Sequence, residues 1–145
     1  MGDRFSAAQW SAIAGCGAVL LWSIPGLFVN PDFAIGSDAT SELFLGVDMN
    51  GWHAVSGFLI VVPVLAVFRN AELLSWLLAA AAASLYGTAL WSLLSERPAG
   101  GLFYFPHPTG DVILHVLTGS IFLFGAVVGF RGTALSGTSV SSEAE

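Results

Sequence analysis

The sequence has no lysine, only four arginines, a single cysteine and little charge of either sign. Asp, Glu, Lys and Arg make up 10% of its 145 residues, against about 25% in an ordinary soluble domain. With so few cations and a net charge of −6, no basic patch exists to hold nucleic acid. One cysteine excludes an internal disulfide framework and a cysteine-built zinc site. What is there instead is apolar. AVILMFWYC residues reach 55% and the mean hydropathy is +0.79, which excludes disordered, fibrous and conventional soluble-enzyme readings and leaves an integral membrane protein.

A helix needs about 20 mostly apolar residues to cross the hydrocarbon core. Four stretches qualify, at about 7–29, 52–68, 71–94 and 112–130, joined by outer loops at 30–51 and 95–111. The second is short, but Trp52 and Arg69 can anchor its ends. The turn to the third holds only Arg69 and Asn70, which makes the two helices antiparallel neighbours. Arg4, Arg69 and Arg131 fall on one side and only Arg97 on the other. Positive charge stays inside, so both termini are predicted to be cytoplasmic, in a multi-pass protein of the cell membrane. Trp10 and Trp76 mark the inner interface, and Trp52, Trp91, Phe103, Tyr104 and Phe105 the outer one. The box Ile13-Ala14-Gly15-Cys16 resembles a lipoprotein cleavage site, but the apolar run continues to Val29 and the first span is expected to stay.

An internal repeat is the most specific pattern. At an offset of 62 residues, His53-Ala54-Val55-Ser56-Gly57 matches His115-Val116-Leu117-Thr118-Gly119, and Phe68-Arg69 matches Phe130-Arg131. Both read H-x-x-[ST]-G, and an acid precedes each, Asp48 and Asp111, with spacings that differ by one. The predicted fold is therefore all-α: four transmembrane helices as two helical hairpins related by an axis along the membrane normal, in one domain over residues 1–131. Both matched helices run inward, which puts His53 and His115 at one depth near the outer surface. The Gly at i+4 shares each His face, small enough for a close helix or a ligand.

Gly57, Gly119, Gly125, Gly129, Ala83 and Gly87 are the predicted packing positions. Pro63, the counterpart of Gly125 in the repeat, can bend the second span. In the first outer loop Ser37 and Asp38 can cap a short helix running through Glu42, with Leu43, Phe44 and Leu45 on the membrane surface, a lid over the bundle. The tail, 132–145, rich in Ser, Thr and Gly, is predicted to be disordered in the cytoplasm.

The stretch Val47-Asp48-Met49-Asn50-Gly51-Trp52-His53, joined to Asp111-Val112-Ile113-Leu114-His115-Val116-Leu117-Thr118-Gly119, resembles a family of small four-span bacterial membrane proteins known as domain of unknown function 4383. The resemblance covers about residues 15–131. Family members often carry a second His four residues after the first, where this chain has Gly57. The resemblance implies the four-span fold and no activity.

Three functional readings follow. The leading one is a non-catalytic accessory subunit that docks onto a larger membrane complex, such as an envelope lipid or solute transporter or a respiratory assembly; no H-E-x-x-H motif argues for an enzyme, and the spans hold no carboxylate beyond Glu72 at the start of the third. In the second, His53 and His115 hold a b-type haem through two axial imidazoles. In the third, a divalent metal binds Asp111 and His115, at i and i+4, with His53, His107 or Asp48 completing the set. The plainest alternative is that each His simply hydrogen-bonds an outer loop or a neighbouring helix.

Overall fold

The computed structural model describes residues 5–94 and 108–141. Ser6 starts the first helix, α1 (Ala7–Val29): its hydroxyl accepts the Gln9 N–H while the Gln9 side chain accepts the Ser6 N–H, a capping box. Three further helices follow: α2 (Gly51–Ala66), α3 (Ala71–Leu94) and α4 (Pro108–Ser141). Asn50 caps α2 by accepting the His53 N–H, and Asn70 begins α3 by accepting from Leu73. Among the described residues, α1, α3 and the Thr109–Ala134 part of α4 are long and apolar enough to cross a membrane, whereas α2 is a shorter apolar helix of 16 residues.

The helices pack as the two pairs α1–α2 and α3–α4, with α1 also seated on α4. Their common core is built from Ala12, Cys16 and Val19 of α1, Val61 and Val64 of α2, Leu74, Leu78 and Leu85 of α3, and Phe122 and Ala126 of α4. Cys16, in the middle of α1, is buried there. Between helices in lipid there is little hydrophobic force, so van der Waals contact must hold them, and small residues permit it. Phe122 lies against α1 where only Gly15 leaves room for its ring. Gly125 sits against Ser11 and Leu78, Gly129 against Ser75 and Ala8, and Gly57 against Val19 and Ser23.

Two segments differ from the sequence expectation. The predicted short helix through Glu42 is a 3-10 turn, Gly36–Asp38, followed by an antiparallel hairpin of β1 (Glu42–Phe44) and β2 (Val47–Met49). Leu45 and Gly46 both adopt positive φ, 50° and 86°, which gives the two-residue turn whose twist matches a hairpin. The left-handed form costs a non-glycine residue such as Leu45 about 1 kcal/mol, offset by burial of all three β2 residues against α1, α2 and α4. At the other end, α4 continues to Ser141 where disorder was expected from residue 132. No proline interrupts it, and extending a formed helix is far easier than nucleating one. The Thr133 hydroxyl adds bonds to the carbonyls of Gly129 and Phe130.

Candidate functional site

The repeated motifs meet at the hairpin end of the bundle. The His53 and His115 rings lie face to face, with centroids 5.6 Å apart and planes 18° from parallel. Asp111, in the first turn of α4, is fully buried, as is Asp48 of β2. Both acids fall at the ends of the outer loops expected from the sequence, yet they are interior groups that make one connection.

That connection follows from hairpin register. With a two-residue turn, Phe44 pairs with Val47 and Leu43 stands opposite Asp48. The second pair in such a ladder is not hydrogen-bonded across the strands, so the Asp48 N–H and C=O point away from β1. Buried backbone groups need partners, and here two helices supply them. The Asp48 N–H donates to Asp111 Oδ2 at 3.0 Å, and His53 Nδ1–H donates to the Asp48 carbonyl. Since a carbonyl can only accept, the proton of the neutral ring is on Nδ1. Thus a residue of α2 and a residue of α4 stand in for a third strand. The Asp48 side chain accepts from Ser41 at 3.2 Å, and the Asn30 amide donates to the Met49 carbonyl at 3.3 Å. The hairpin tip rests on α4, its Gly46 carbonyl directly over Gly110.

The preceding loop is tied down in the same region. Trp52 Nε1 donates to the Phe33 carbonyl at 2.9 Å and Gly51 N–H to the Asp32 carbonyl at 2.8 Å. Bonds from the Thr40 hydroxyl and the Ala34 N–H hold the Asp32 carboxyl below its ordinary range. Its depressed pKa makes this contribution present above the unfolded value and lost as pH falls through the folded one.

The predicted site residues separate accordingly. His53, His115 and Asp111 come together; His107 lies outside the described residues. His53 Nδ1 is 3.8 Å from Asp111 Oδ1, beyond hydrogen-bond reach. Axial ligation of a haem needs one nitrogen from each ring facing the other along a common axis, which the parallel stacked rings do not provide. The haem reading does not fit this arrangement. Among the described residues, no three of His, Cys, Asp and Glu are grouped to hold a metal ion. Of the packing positions, Gly57, Gly125 and Gly129 are closed inside the bundle and Gly119 meets Tyr86 and Leu85 at ordinary contact distance, whereas Ala83 and Gly87 face outward. Sequence reading missed the role of the Asp48 backbone, although an acid before each H-x-x-[ST]-G was its visible trace.

No protein-family model, curated protein or solved structure matches the chain.

Proposed function

We propose that the chain is a non-catalytic integral membrane protein that docks, through the outward face of α3 around Ala83 and Gly87, onto a larger membrane assembly. The observation that carries this reading is that Gly87 has no atom within 4 Å of the position its Cβ would take, while the small residues of the other seams are used inside the bundle. A small-residue face in lipid lets another helix approach closely. The polar cluster supports a non-catalytic role, because His53 and Asp111 hold backbone groups of the hairpin rather than present a nucleophile and base to a substrate.

In this reading α2 is the fourth span. Sixteen residues rise about 24 Å, short of the ~30 Å core, and the buried hairpin above α2 fills the remaining depth, where non-helical backbone is tolerated because protein surrounds it. The arginine distribution supports a cytoplasmic side of the cell membrane for both termini. The resemblance to the domain-of-unknown-function family belongs to the same proposal, since both of its motifs meet at the clamp on Asp48.

The test is recovery of the tagged full-length chain from its native membranes in mild detergent. A stoichiometric membrane-protein partner is expected, and Gly87→Leu, which fills open space and leaves the bundle folded, is expected to lose it. Recovery of the chain alone, or an undiminished partner with Gly87→Leu, contradicts the proposal.

A further inference from the structure

The repeat makes two seams equivalent, α1 against α4 and α3 against α2, yet only the first is closed. At the 62-residue offset, Phe122 corresponds to Ile60 and Gly125 to Pro63. Phe122 fills the α1–α4 seam, and Gly125 lets Ser11 approach. Ile60 is smaller, and Pro63 presents a ring where its counterpart has only hydrogen. Although a tight turn at 67–70 joins α2 to α3, the two helices leave between them an open cleft of about 400 Å³ lined by Ile60, Pro63 and Leu77. The antiparallel neighbours expected from the short turn are thus separated by a space of ligand size, too small to enclose a helix.

Its dimensions and chemistry are graded. On α2 the lining runs from His53 to Val64 and on α3 from Thr88 to Leu77, twelve residues each, or about 16 Å from first to last. That is roughly half of a ~30 Å hydrocarbon core, one leaflet deep. The hairpin end is polar, with His53, Ser56, Thr88 and His115, and the deep end is aliphatic. Among the described residues no Asp, Glu, Lys or Arg lines it, so a charged head would meet no counter-charge there.

Three of the polar groups, Ser56, Thr88 and His53, are also biased toward accepting. The Ser56 hydroxyl donates to the His53 carbonyl at 2.7 Å and the Thr88 hydroxyl to the Ser84 carbonyl at 3.0 Å. Each thereby directs its proton into its own helix and offers lone pairs to the cleft. His53 bonds through Nδ1–H to Asp48, which makes Nε2 the acceptor of its ring.

We propose that the α2–α3 cleft binds one neutral lipid alcohol, its hydroxyl donating to the Ser56 or the Thr88 oxygen and its chain lying along Ile60, Pro63 and Leu77 where Phe122 lies in the sister seam. The site does not depend on partner docking; it requires only that α2 and α3 stand in a bilayer.

The experiment uses the full-length chain in phosphatidylcholine nanodiscs and two photoreactive probes, a diazirine-bearing hexadecanol and its methyl ether, which lacks the donor. Saturable labelling of α2 and α3 by the alcohol is expected, with the ether weaker by roughly five- to tenfold, the worth of one hydrogen bond. Ser56→Ala combined with Thr88→Val is expected to bring alcohol labelling down to the ether level. Ile60→Phe, which restores the ring of the sister seam, is expected to abolish both. Displacement by unlabelled diacylglycerol or by an unlabelled polyprenol identifies which natural source of the head group is accepted. Equal labelling by alcohol and ether, labelling unchanged by the polar double variant, or displacement by neither lipid overturns the assignment, and the polar variant tests it even if Ile60→Phe fails to fold.

Discussion

Gly110→Ala is expected to lift the hairpin from α4 and lower the thermal midpoint of the detergent-solubilised protein by about 5–10 °C, at a few degrees per kcal/mol for a chain of this size. The group that a Cβ would strike is the Gly46 carbonyl, which is backbone and cannot rotate aside as a side chain can. Relief therefore moves the turn. Asp48 lies two residues from Gly46 and Asp111 next to Gly110, so a shift large enough to admit a methyl group also stretches the bond from Asp48 N–H to Asp111 Oδ2. Overpacking of this kind costs about 1–3 kcal/mol and the lost bond about 1 kcal/mol more. Gly87→Ala is the matched control. Its methyl group meets open space, and a helix gains by exchanging Gly for Ala, so its midpoint is expected to stay or rise. Equal losses from the two variants would contradict the placement of the hairpin tip.

The second large effect is expected at Asp111. Leucine at this position removes the acceptor of a buried N–H, which costs about 1–3 kcal/mol because that group cannot recover its bond to water. Asp111→Asn keeps a carbonyl oxygen at nearly the same point and is expected to lose less than half as much. The contrast separates a hydrogen-bonding role from one that depends on a full carboxyl group, as metal ligation would. If Asp111→Asn is as damaging as Asp111→Leu, the residue does more than accept from Asp48.

The helices were legible in the sequence because the length of an apolar run sets where a spanning helix starts and stops. The expected spans 7–29 and 71–94 coincide with α1 and α3. The level imidazoles were legible through the repeat, which needs no knowledge of tertiary contacts. The hairpin was not, since Leu45-Gly46 lacks the Asn-Gly or Asp-Gly signal of its turn and three-residue strands are too short to show alternation. Nor was the burial of Asp48 and Asp111, because what permits it is a backbone amide 63 positions away in sequence. The open α2–α3 seam was half visible. Pro63 stood out as a bend, but the consequence of Ile60 standing where the repeat has Phe122 emerges only once the sister seam is seen to be filled.

The account turns on Asp48, gripped from both sides by residues of the two repeated motifs. Amide hydrogen exchange at Asp48 in the full-length protein in nanodiscs tests this most directly. Protection comparable to that of helix interiors is predicted, because the N–H is buried and bonded to a carboxyl oxygen of α4; exchange at the rate of an open loop would contradict the clamp.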